Sequence, residues 1–96
     1  MALTQFAFCA IDGNVPAVDA RNSSVEVKTP SGSSAATTAA ADRDSTLCRV
    51  STDTMVYVSF GSAPNATSDT VKFLVQAGAT EYFRVRYQDK AAVVTA

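Results

Sequence analysis

Apolar residues recur at every second position through four stretches, residues 47–51, 54–60, 70–75 and 82–94. That spacing puts them on one side of an extended chain, so each stretch predicts a strand with a buried face. The longest is read as folding back on itself near Gln88 and Asp89. In 54–60 the set Val56, Val58, Phe60 alternates with Met55, Tyr57, Ser59, so both sides are largely apolar. A strand of that kind is central in its sheet or covered by a partner. Val71, Phe73 and Val75 share a face opposite Lys72, and Phe83, Val85 and Tyr87 alternate with Tyr82, Arg84 and Arg86. The breaks at 61–65, 77–79 and 88–90 carry Gly, Pro, Asn or Asp, the expected turn chemistry.

The first half is less regular. Residues 3–11 read as a strand with Phe6 and Phe8 on one face, followed by a turn or loop from Asp12 to Pro16. Residues 24–28 alternate, Val25 and Val27 on one side, Glu26 and Lys28 on the other. Ser23 and Glu26 fit a helix capping box, but β-branched residues follow and Thr29-Pro30-Ser31-Gly32 stops the run. Residues 31–44 are mostly Ser, Ala and Thr, with no large apolar side chain. They read first as a flexible loop. The alternatives are a strand packed closely on another backbone, or an arm that orders against a neighbour. Six to eight short strands with turns about every ten residues predict an all-β fold, a small β-sandwich or a jelly-roll-like barrel. The expected organisation is a single β domain over residues 1–96 with a low-complexity loop or arm at 31–44.

Composition narrows the function classes. A chain of 96 residues hides only about 60–65% of its unfolded surface, so its core is modest. Charged residues make up 18%, against roughly 25% for an average soluble domain. Low-complexity loops, or a surface partly covered by other subunits, would each account for the deficit. The net charge is −1 and no Lys/Arg block occurs, which argues against nucleic acid as a partner. No apolar run reaches the roughly 18–20 residues that span a bilayer, so no membrane partner is expected. The apolar start, Met1 to Ile11, lacks a cationic beginning and leads into a turn signal; it is read as a strand rather than a leader. Synthesis in the cytoplasm follows as an expectation. Cys9 and Cys48 both lie in strand-like runs, which suits buried reduced thiols, although a disulfide needs only geometry that spacing does not reveal.

Candidate chemistry is sparse. The chain has no histidine, which removes the usual nucleophile activation and the commonest zinc ligand. Asp12, Asp42, Asp44 and Asp53 lack the alternating acidic loop of a calcium site, and Glu26 and Glu81 show no sign of flanking a cleft. Two Asn-X-Ser/Thr sequons, at Asn22 and Asn65, are read as chance matches. The expectation is a non-enzyme with no catalytic residue, no cofactor and no metal. The side chains best suited to a binding face are Tyr57, Tyr82, Arg84, Arg86 and Tyr87, since Tyr and Arg are enriched where partners meet.

One resemblance adds to this. The run Arg49-Val50-Ser51-Thr52-Asp53-Thr54, then Val56 to Thr67, Phe73-Leu74-Val75, Glu81-Tyr82-Phe83-Arg84-Val85 and Asp89-Lys90-Ala91-Ala92-Val93, resembles small virion structural proteins of tailed bacteriophages, in particular capsid decoration or cement proteins. It covers about half the chain and consists of strands, turns and a hairpin, with nothing comparable in residues 1–46. The resemblance implies a homo-oligomer, trimer or dimer, on the capsid surface of a virion, whose partner is the major capsid protein. It implies shell reinforcement by binding. The first strand and residues 31–44 are the parts expected to touch neighbours. The alternatives are a host-surface glycan-binding module of a head fibre or tail spike, and a low-copy tail or head-junction component.

Overall fold

A computed structural model describes residues 3–10, 24–41 and 46–96. It is an all-β sandwich. The described residues form eight strands: β1 (Thr4–Ala10), β2 (Ser24–Lys28), β3 (Ala35–Ala36), β4 (Thr46–Thr52), β5 (Val56–Gly61), β6 (Phe73–Val75), β7 (Thr80–Val85) and β8 (Lys90–Thr95). Two antiparallel sheets of four result, ordered β2-β1-β4-β7 and β3-β8-β5-β6.

Period-two alternation builds the core between them. Phe6 and Phe8 of β1, Cys48 and Val50 of β4 and Val85 of β7 meet Val56 and Val58 of β5, Val75 of β6 and Ala91 and Val93 of β8. All are buried, and each large apolar side chain removed from water contributes about 1.5–3 kcal/mol. Thr4 and Thr52, paired across β1 and β4, bring hydroxyls into this interior and satisfy each other at 3.0 Å.

β5 is an interior strand, as its doubly apolar pattern requires. Its second face is covered by the chain itself. Residues 62–72 fold back so that Ala66 packs with Ala92, Val94 and Tyr57 in a small second core. An Asn65-centred turn holds that loop: Asn65 Oδ1 accepts the Thr67 and Ser68 N–H groups, and Asp69 Oδ2 accepts that of Asn65. The turn shortens the strand expected at 70–75 to Phe73–Val75.

Residues 31–41 take the second of the forms considered for them, a chain packed on another backbone. β3 pairs with β8, Thr37 N–H donates to Ala91 O (2.7 Å) and Ala41 N–H to Asp89 O (2.9 Å). Small side chains permit the approach, and hydroxyls add bonds of their own, such as Ala91 N–H to Thr37 Oγ1 (3.1 Å).

The expected fold-back at Gln88 and Asp89 is corrected. The turn exists, with Asp89 N–H donating to Arg86 O (3.0 Å) and Gln88 at φ 67°. It joins β7 to β8 in the opposite sheet, so no hairpin forms. The physical reason is occupancy: β8 already has β5 on one side and β3 on the other. The connections from β4 to β5 and from β6 to β7 cross between sheets in the same way. The Asp12 to Pro16 turn, Asp42, Asp44, the Asn22 sequon and the Cys9 side chain lie outside the described residues.

Candidate interaction face

β2 is an edge strand whose alternation is used in reverse. Val25 and Val27 point outward, 54% and 50% exposed, while Glu26 and Lys28 turn toward the opposite sheet. Glu26 explains the choice. Its carboxylate, one-fifth exposed, accepts the backbone N–H of Thr38 (3.0 Å) and of Ala39 (2.9 Å) and pairs with Lys28 (3.1 Å). It therefore clamps β2 to the stretch beyond β3 in the other sheet. Partial burial works against the charged form, but the Ala39 and Thr38 N–H groups and the Lys28 ammonium outweigh it, and the Glu26 pKa is lowered.

The reversal leaves apolar side chains on the outer side of the β2-β1-β4-β7 sheet. Register aligns Val27, Gln5, Ser51 and Thr80 in one row across it, and Val25, Ala7, Arg49 and Tyr82 in the next. Leu3 flanks the first row and Arg84 follows Tyr82. Gln5 Oε1 accepts from Arg49 Nη1 (3.3 Å), and the Ser51 and Thr80 hydroxyls meet at 3.1 Å. The face thus has an apolar half, Leu3, Val25 and Val27, and a cationic–aromatic half, Arg49, Tyr82 and Arg84. Among its described strand residues there is no carboxylate. Asp53 stands at the margin, its Oδ1 accepting the Leu3 N–H at 2.8 Å.

The five side chains singled out from the sequence do not share one surface. Tyr82 and Arg84 lie together on this face, and Arg86 and Tyr87 continue from the end of β7 in an exposed turn. Tyr57 belongs to the other sheet, half-buried against Ala66, Ala92 and Val94 with the Lys72 ammonium 5.1 Å from its ring centroid. Leu3, Val25, Val27 and Arg49 were not among the five. The signal for the valines was their alternation with charged residues, which ordinarily marks the buried side.

Among the described residues no three of His, Cys, Asp and Glu come together to hold a metal ion. No protein-family model, curated protein or solved structure matches this chain. What the face can do follows from its own side chains. Aromatic and guanidinium groups beside half-exposed aliphatic ones bury well against a protein surface, where they dominate binding energy. The hollow on this face between Leu3, Gln5, Val27, Ser51 and Asp53 is wide open, so it offers little to enclose a small molecule.

Proposed function

We propose that this chain is a non-enzymatic structural protein of a tailed-bacteriophage virion, a capsid decoration protein that docks on the shell of major capsid protein. The reading joins the resemblance of residues 49–94 to one observation, the outward-turned Val25 and Val27 of an edge strand. Half-exposed and turned away from the opposite sheet, these side chains contribute little to the monomer's own core. They contribute on docking, where covering them favours the bound state. Reinforcement then works by mass action: a ligand that binds the assembled shell and not its dispersed subunits stabilises the shell by RT ln(1 + [L]/Kd), about 2.7 kcal/mol per site at a hundredfold excess over Kd.

The test is co-sedimentation with mature capsids of the phage whose genome carries the chain, together with the copy number per particle. Binding in hundreds of copies is expected, and it should be lost in the double variant Val25→Asp, Val27→Asp. These positions are half-exposed, so the variant should stay folded by circular dichroism. Absence of binding by the parent chain, undiminished binding by the double variant, or a handful of copies per particle would each refute the proposal.

A further inference from the structure

A sandwich of two open sheets has four edges, and three of these are blunted. β3 has two residues, β6 has three, and β2 carries Lys28 and leads into Thr29-Pro30. Short strands, lysines and prolines are the usual devices against edge-to-edge association. β7 is longer than β3 and β6 and has neither lysine nor proline; its charged residues are Glu81 and Arg84. It runs six residues in unbroken register with β4, and its other side has no strand among the described residues.

Hydrogen-bond alternation identifies which backbone groups are open. Thr52 N–H donates to Ala79 O (3.3 Å) and Thr52 O accepts from Gly78 N–H (2.9 Å), so Thr52 and every second residue before it aim at β7. Glu81, Phe83 and Val85, opposite Val50, Cys48 and Thr46, complete those pairs. Thr80, Tyr82 and Arg84 therefore present their N–H and C=O groups to the open edge.

We propose that a second copy of this chain occupies that edge, pairing antiparallel about a two-fold axis at Phe83. Outer side chains must then lie beside outer ones, and Tyr82 faces Arg84 of the partner subunit while Arg84 faces the partner's Tyr82. The guanidinium-on-phenol contact is thus made twice, a favourable cross-strand pair in both senses. Shifting the axis to Tyr82 would set Glu81 against Phe83 of the partner subunit and Arg84 against the partner's Thr80, losing both contacts. Beneath the strand, the rings of Phe60, Phe73 and Phe83 pack in tilted contact at centroid separations of 5.0–6.5 Å. Phe73 is 43% exposed at this rim. The rim has the character of a core cut open, and an isologous contact closes it without leaving a site for a third copy. The two sheets become one of eight strands, with two docking faces side by side. This pairing stands independently of the docking reading, since it draws on the open backbone of β7 while the docking reading rests on Val25 and Val27 of β2, at the other edge of the sheet.

Light scattering on the full chain should give twice its 10.0 kDa mass, falling toward the monomer on dilution. Tyr82→Pro removes an outward N–H at a position where an open edge tolerates proline, and it should be monomeric where the parent is dimeric. Register is read by cysteine cross-linking. Tyr82→Cys and Arg84→Cys chains, mixed and oxidised, should yield an 82–84 disulfide in peptide mass spectra. Paired residues have Cα atoms about 5.5 Å apart, within disulfide reach. Either variant alone should yield far less, because like-numbered residues are diagonal neighbours about 7–8 Å apart. A monomeric parent at every concentration, or cross-linking of single variants as efficient as that of the mixture, would overturn the proposal. A parent chain that dimerises but does not bind capsids would overturn the docking reading alone.

Discussion

Removing the Glu26 carboxylate should open one side of the sandwich at a measurable cost. Thr38 and Ala39 both donate to it, but the two losses differ in kind. Thr38 is exposed, so water replaces the carboxylate there. Ala39 is half-buried, and its N–H is left without an acceptor in Glu26→Ala. A hydrogen bond to a charged group contributes about 1.5–3 kcal/mol net, with the orphaned donor at the upper end. For a domain of this size about 1 kcal/mol moves Tm by roughly 4–8 °C. Glu26→Ala should therefore melt about 6–24 °C below the parent at neutral pH, by far-ultraviolet circular dichroism. Glu26→Gln keeps one acceptor oxygen and should lose about half as much. Lys28→Ala removes only a partly solvated ion pair, worth about 0–1 kcal/mol.

The pH dependence separates the clamp from generic damage. The Glu26 pKa lies below its ordinary value of 4.5 in the fold. Its contribution is complete above that value and is lost as pH falls through the lower folded value. The gap in Tm between parent and Glu26→Gln should thus be full at neutral pH and close once the parent's carboxyl is protonated. A Glu26→Ala variant melting within about 2 °C of the parent, equivalent to less than about 0.5 kcal/mol, would refute the clamp. A gap that persists unchanged into acid would refute the electrostatic part of the reasoning.

Further predictions follow from single residues. Ser59 is fully buried in β5 with its hydroxyl unpartnered. Ser59→Ala should raise stability in urea titration by about 1 kcal/mol, since an unsatisfied buried hydroxyl costs about 1–3 kcal/mol. The turns before and after β7 are alike: Ala79 N–H bonds Gln76 O and Asp89 N–H bonds Arg86 O, each with a positive φ at the third residue, Gly78 and Gln88. Gly78→Ala should cost about 1–2 kcal/mol although open space surrounds the added methyl, and Gln88→Gly should gain about 0.5–1 kcal/mol. Opposite signs in thermal melts check the pair. Phe6→Ala, at a fully buried ring, should cost about 3–5 kcal/mol. Phe73→Ala, at the half-open rim, should cost roughly half that.

The sequence carried the strands more clearly than their pairing. β5 was legible because both of its faces are buried within the chain, and both show as apolar positions. β6 was over-long in expectation because Val71 continues the alternation, while the cause of its shortening, the Asn65–Asp69 clasp, lies upstream in a polar loop. The turn at 86–89 was legible as a turn, but its residues would serve a hairpin or a crossing between sheets equally well. Only the occupancy of β8 on both sides decides between them. β2 was legible as a strand and not as to which side is inward. Its orientation depends on Glu26 meeting backbone N–H groups 12 and 13 residues away, and backbone donors leave no mark on composition.

Contacts with backbone also account for part of the neutral surface. The 18% charged fraction had two candidate causes, loops of low complexity and surface covered by other subunits. Described residues of the Ser/Ala/Thr segment lie against β8, and small side chains are what that contact needs: Thr37, buried, and Ala35 and Ala36, paired with Val93 and Ala92. Part of the deficit is thus absorbed by the fold itself. The outer side of the β3-β8-β5-β6 sheet is in turn covered in part by Ala66 and its loop, although Leu74, opposite Tyr57, stays 44% exposed. On the outer side of the opposite sheet Ala7 and Leu47 are buried, while Val25, Val27 and Leu3 stay about half-exposed. Water penalises an apolar side chain on either sheet equally. Exposure alone therefore does not choose between the two faces, and the Val25→Asp, Val27→Asp variant, which alters only the β2-β1-β4-β7 side, is what tests the docking proposal.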